Sequence, residues 1–160
     1  MLHNVRTVKP QVLDPYVTLH GNNALEGGVI ATQNNDPASF EFVLENRIGD
    51  TPLHFSINLQ YLNSGFGNQI DLLARFDDEP FMPLVSSAGP DATRSIQADL
   101  FRKKPFKRLT LQVRMYCKDD TAQYFGGNLR SLIFQELSVT LSQDGAILTK
   151  PSAGAAPSPQ

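Results

Sequence analysis

The sequence predicts an all-β chain folded as a two-sheet antiparallel β-sandwich, and three observations carry that expectation. Apolar and polar residues alternate over many short segments, as they do on a strand with one buried face. Clusters of Gly, Asn, Asp and Pro separate those segments, and sustained helical periodicity is scarce. Many short strands joined by such turns are the pattern of a sandwich.

Taken in order, residues 1–14 read as an N-terminal extension or an edge strand, and Tyr16–Leu19 and Val29–Thr32 as short strands. Phe40, Phe42 and Leu44 then alternate with Ser39, Glu41, Val43 and Glu45. In LHFSINLQ, Leu53, Phe55, Ile57 and Leu59 form an inner row and His54, Ser56, Asn58 and Gln60 an outer one. Ile70, Leu72, Ala74 and Phe76 repeat the pattern, followed by shorter candidates at Phe81–Val85 and Ser95–Leu100. Leu109, Leu111, Val113, Met115 and Cys117 are set against Thr110, Gln112, Arg114 and Tyr116. Leu137, Val139 and Leu141 alternate with Glu136, Ser138, Thr140 and Ser142, and Ala146–Thr149 closes the series. Turns are expected at HGNN, QNNDP, ENRIGD, NSGFGN, SSAGPD, FGGN and QDG. One domain over 15–149 follows, and the small, Pro-rich tail 150–160 lacks the apolar surface to order itself.

The 160 residues are 41% apolar and 19% charged, enough for one domain with a core. A formal net charge of -2 gives no electrostatic reason to expect nucleic acid or an anionic membrane as partner. No apolar run approaches the roughly 20 residues that span a bilayer, so no membrane insertion is expected. MLHNVRTVKPQ lacks the apolar region of a signal peptide, and Cys117 is the single cysteine. A cytoplasmic protein, or one exported by a non-classical route, is the expectation. Arg102, Lys103, Lys104, Lys107 and Arg108 surround Pro105 and read as a solvated connection.

Motif chemistry is sparse. His3, His20 and His54 lie far apart without partners at metal-ligand spacing, and no H-E-x-x-H, paired C-x-x-C, Walker loop or G-x-S-x-G elbow occurs. Cys117 lies in an apolar row and reads as a core residue. Asp77, Asp78 and Glu79 are too few oxygens for Ca²⁺ and read as solvated acids. No catalytic residue, cofactor or metal is assigned, and the chain is not expected to be an enzyme. The polar rows say more: His54, Ser56, Asn58, Asp71, Arg75, Gln112 and Arg114 are short or directional hydrogen-bonding groups where a plain surface would carry Lys and Glu. Such groups suit sugar hydroxyls.

At Leu53-His54-Phe55-Ser56-Ile57-Asn58 the chain resembles a galectin, particularly the fungal members. That family places a His on a strand of its concave sheet after a Leu, then Asn or Ser two residues on, then Arg two further. Phe40-Glu41-Phe42-Val43-Leu44 resembles the preceding strand, with Gly49-Asp50 at the connecting turn. QIDLLAR stands where a galectin strand ends in Asn, and Ala88-Gly89-Pro90-Asp91-Ala92-Thr93-Arg94 resembles the W-G-P-E-x-R loop with one residue more. Pro105-Phe106 and Leu109–Met115 also fall where galectins have equivalents, so the resemblance covers Pro15 to Leu148.

The resemblance implies a galectin or jelly-roll-like sandwich and a glycan site lined by His54, Ser56, Asn58, Arg75, Asp91 and Arg94. It also implies departures: Asn58 replaces Arg, Leu73 replaces Asn, and Ala88 replaces the stacking Trp, of which the chain has none. The expected function is therefore a galectin-type lectin of altered glycan specificity, binding by hydrogen bonds and self-associating as a homo-oligomer. The alternative is a galectin-fold protein without sugar binding that acts in protein contacts or assembly. A different carbohydrate-binding or capsid-type jelly roll alternates in the same way.

Overall fold

Because successive strand side chains point to opposite faces, each alternating segment offers one apolar row to a core and one polar row to water. The computed structural model describes residues 5–20, 38–48, 52–63, 66–116, 132–143 and 146–147, and among them every regular element is a strand. These are β1 (Val5–Leu13), β2 (Tyr16–His20), β3 (Ala38–Asn46), β4 (Leu53–Asn63), β5 (Gln69–Phe76), β6 (Met82–Ala88), β7 (Ser95–Arg102), β8 (Arg108–Tyr116), β9 (Leu132–Gln143) and β10 (Ala146–Ile147). The expected strand at Val29–Thr32, Cys117, the Gly49-Asp50 turn and the tail 150–160 lie outside the described residues. No helix among the described residues is long and apolar enough to cross a membrane.

Two sheets face one another. One has the order β1-β3-β8-β5-β6; the other runs β10-β9-β4-β7, with β2 also paired to β9. Among the described residues all pairings but one are antiparallel; β1 lies parallel to β3, so the first sheet is mixed where a purely antiparallel sandwich was expected. The chain passes repeatedly from sheet to sheet: β3, β5, β6 and β8 belong to the first, and β4, β7 and β9 to the second.

Leu53, Phe55, Ile57, Leu59 and Tyr61 of β4, fully buried, meet Phe40, Phe42 and Leu44 of β3 and Leu109, Leu111 and Val113 of β8 in one core. At one end Phe106 packs edge-on against Phe55 and Phe76, which are tilted to one another, with ring centroids 4.8–6.0 Å apart, favoured aromatic distances.

Three irregularities explain where the alternation misleads. On β9, Gln135 is an extra residue between Phe134, opposite Tyr61, and Glu136, opposite Gln60. This bulge shifts the period by one, so the strand begins at Leu132, well before the Glu136 that the pattern marks. Leu84 is the extra residue where β6 meets β5. In β1 the register shifts between Val8 and Gln11, which accommodates Pro10 in an edge strand, where a residue without an N–H is tolerated.

The basic connection is more structured than its charge implies. Arg102 grips both oxygens of Glu79 at 2.9 and 2.8 Å, donates to the carbonyls of Lys104 and Pro105, and lies 4.6 Å over the Phe76 ring. Those bonds from Arg102 hold the Glu79 carboxyl below its ordinary range. Asp77 adopts φ 52 and accepts the backbone N–H groups of Lys107 and Arg108 through Oδ1, a task suited to Asp, which tolerates left-handed backbone. Two of the three acids expected to be merely solvated thus pin the loop before β8.

Candidate functional site

The outer row of β4 is placed by its inner one. Burial of Leu53, Phe55, Ile57 and Leu59 leaves His54, Ser56, Asn58 and Gln60 on the opposite face. Register then sets their neighbours. On β7, Phe101, Asp99, Gln97 and Ser95 stand directly opposite them; on β9, Ser142, Thr140, Ser138 and Glu136 do. Beyond β9, Tyr16 and Thr18 of β2 continue the rows past Thr140 and Ser138. The result is an open face of hydroxyls, amides and two carboxylates.

His54 is the best connected of these groups. Its Nε2 lies 3.4 Å from Asp99 Oδ1 and its Nδ1 3.4 Å from Ser142 Oγ, with side-chain exposures of 47% for His54 and 64% for Asp99. The ring is thus oriented between two strands while its edge stays open to solvent. Gln97 donates to Ser56 Oγ at 2.6 Å, and Tyr16 donates to Ser138 Oγ at 3.4 Å. Phe101 flanks His54 with 54% of its surface exposed, an apolar plane among polar groups.

The six expected site residues do not converge. His54, Ser56 and Asn58 share one row, about 13 Å from end to end at roughly 3.3 Å per residue. Arg75 belongs to β5 in the other sheet and faces outward from it, so the sandwich, with sheets about 10 Å apart, separates it from His54. There its guanidinium sits 4.6 Å over Phe81. Arg94 accepts the Tyr61 N–H through its carbonyl, seven residues along β4 from His54 or about 23 Å.

Asp91 is farther still, bridged to Asn63 at the end of β4. Its carboxylate is engaged by its own surroundings, accepting Ser87 Oγ and the Tyr61 hydroxyl, each at 2.6 Å, and the Thr93 N–H at 2.8 Å. Those donors, Ser87 first, hold its carboxyl far below the ordinary range, and burial together with Asp91 pushes the Tyr61 hydroxyl up. Asp91 closes the loop after β6, next to the cis Gly89–Pro90 peptide, and offers little to a ligand. The reason is connectivity: β4 and β5 lie in different sheets and the 89–94 loop meets the far end of β4, so nearness in sequence does not put Arg75 or that loop beside His54.

No family model matches the chain, and no curated protein matches it significantly. Among solved structures, a Bacillus thuringiensis Cry1Da tryptic core variant is similar at 12% identity with a TM-score of 0.40. The alignment covers 82% of this chain and 22% of that one, so the chain spans about a fifth of its length.

The residues not anticipated are Phe101, Asp99 and Gln97 of β7. Their signal was present: Ile96, Ala98 and Leu100 mark the inner phase of β7, and Phe101 falls in the outer one. A phenylalanine out of phase on a strand is either a packing contact or a binding surface. Among the described residues no group of three or more His, Cys, Asp and Glu is placed to hold a metal ion.

Proposed function

We propose that this protein binds carbohydrate on the outer face of β7, β4 and β9, by stacking and hydrogen bonds and without covalent chemistry. The observation that carries the reading is Phe101, half exposed and directly opposite His54, with Asp99 and Ser142 on either side of that histidine. A sugar ring has an apolar C–H face and a rim of hydroxyls, and this corner supplies a plane for the first and donors and acceptors for the second. Asn58, whose amide has no side-chain partner among the described residues, and the Gln97–Ser56 pair extend the contact along β4.

The row that resembles the start of a galectin site stays in this reading; Arg75, Asp91 and Arg94 leave it. Stacking contributes about 0.5–1.5 kcal/mol and each net hydrogen bond about as much. A few such contacts, less the loss of ligand freedom, correspond to a Kd on the order of 1 mM for a single sugar. Self-association into a homo-oligomer would multiply that into useful avidity. With Asp99 and Glu136 on the face and no Arg or Lys among the residues named on it, neutral glycans fit better than sulfated or sialylated ones. A glycan array probed with the folded protein and with Phe101→Ala tests this: neutral glycans bound by the protein and held more weakly by the variant support it, and silence for both sinks it.

The exposed Phe101 also favours a second reading, a protein contact through the same face. Array silence combined with a Phe101-dependent self-association in ultracentrifugation would select it.

A further inference from the structure

On the opposite side of the sandwich, the outer face of β5, β6 and β8 carries a charge pair that does not close. Asp71 of β5 and Arg114 of β8 stand directly opposite in the antiparallel register, a position in which opposite charges normally pair. Here they form no ion pair with each other among the described residues. Asp71 Oδ1 instead accepts Ser86 Oγ at 2.6 Å and the Gln69 amide at 3.0 Å. Among the described residues Arg114 makes one long bond, Nη2 to Gln112 Oε1 at 3.3 Å, and its Nε is enclosed without a partner. The nearby Glu41 carboxylate is taken by Gln112 at 2.8 Å. A half-buried guanidinium with a single neutral acceptor has donors to spare.

Between and beside the two charges lies an apolar floor. Leu73, on this outer row yet only 8% exposed, lies against Pro83, and together with Val85 they line a cavity of about 350 Å³ that Asp71 and Arg114 also border. That volume falls at the small end of ligand sites. We propose that this cavity binds a small apolar zwitterion, a free α-amino acid with an aliphatic side chain. Its carboxylate would pair with Arg114, its ammonium with Asp71, and its side chain would cover Leu73 and Pro83. Both ligand charges then meet an opposite charge, Asp71 being held in place by Ser86 and Gln69 and Arg114 keeping donors to spare. The inference is independent of sugar binding, which lies on the other sheet.

The test is a titration of the full-length ¹⁵N-labelled protein with L-leucine, N-acetyl-leucine, leucinamide and glycine, followed by amide shifts. Saturable shifts confined to the strands around Asp71, Ser86 and Arg114 are expected with leucine. N-acetyl-leucine lacks the ammonium, leucinamide the carboxylate and glycine the apolar body, so each should bind at least tenfold more weakly. Arg114→Gln and Asp71→Asn should each weaken leucine by a similar factor while leaving shifts elsewhere in place; either variant suffices should the other not fold. No saturable shift with leucine, equal binding of leucine and its blocked forms, or undiminished binding by the variants would overturn the proposal.

Discussion

The Tyr61 hydroxyl donates to the Asp91 carboxylate across 2.6 Å, joining the end of β4 to the loop between β6 and β7. Tyr61 is wholly buried, Ser87 donates to the same oxygen at 2.6 Å, and the Asp91 N–H reaches the carbonyl of Asn63 at 2.7 Å. A loop residue that resembles a sugar-binding acid thus fastens the upper end of the sandwich.

That fastening predicts a pH dependence. The Asp91 carboxyl titrates far below its ordinary value of 3.8 in the folded protein. Its stabilising contribution is therefore complete above that value and falls away as pH drops below it, because protonation must break the bonds from Ser87 and Tyr61. Tyr61 works in the other direction: its hydroxyl is raised above 10.0, so its contribution is complete below that pH and is lost as pH rises through the folded value. Asp91→Asn should unfold at lower urea concentration at pH 7, with a midpoint that changes less than wild type's between pH 4 and pH 2. Equal acid sensitivity of the two proteins would refute the assignment.

For the sugar face, Phe101→Ala should weaken glycan binding about two- to tenfold, the equivalent of about 0.5–1.5 kcal/mol of stacking. His54→Ala should weaken it comparably, leaving Ser142 and Asp99 without their shared partner. Arg75→Ala and Arg94→Ala should leave it unchanged, since Arg75 lies on the other sheet and Arg94 about seven residues along β4 from His54. Calorimetric titration with the best array ligand separates these outcomes; loss of binding in Arg94→Ala would return the site to the loop.

Arg102 should resist conservative replacement. Lysine keeps the charge but has no planar fork to hold both Glu79 oxygens and lie over Phe76. A cation–π contact of about 1 kcal/mol corresponds to roughly 2–4 °C in Tm for a chain of this size. Arg102→Lys and Arg102→Ala should therefore both melt lower by about that amount. Calorimetry that finds the lysine variant at the wild-type Tm would show that charge alone matters.

In the core, Phe55→Ala should cost about 3–5 kcal/mol, because Phe55 is fully buried and meets both Phe76 and Phe106. Phe66, exposed in the loop before β5, should tolerate Ala within about 0.5 kcal/mol. Chemical denaturation of the two variants in parallel checks the contrast.

The period of two in Leu53–Leu59, Ile70–Phe76 and Leu109–Met115 by itself determined that the chain makes strands, and which side of each strand is buried. Alternation is a local property: burying one side chain in two follows from backbone geometry whatever the partner strand is. His54, Ser56 and Asn58 could be assigned to a wet face on that ground alone. Pairing was decided only by tertiary structure. The passage of the chain between sheets put Arg75 on the far side and brought Phe101 and Asp99 beside His54. The hydrogen bonds of Asp91 turned inward because Tyr61 and Ser87 arrive there from distant segments. Bulges at Gln135 and Leu84 broke the period where the pattern would have been read. A strand's neighbours depend on which ladder closes the core, and no local pattern carries that choice.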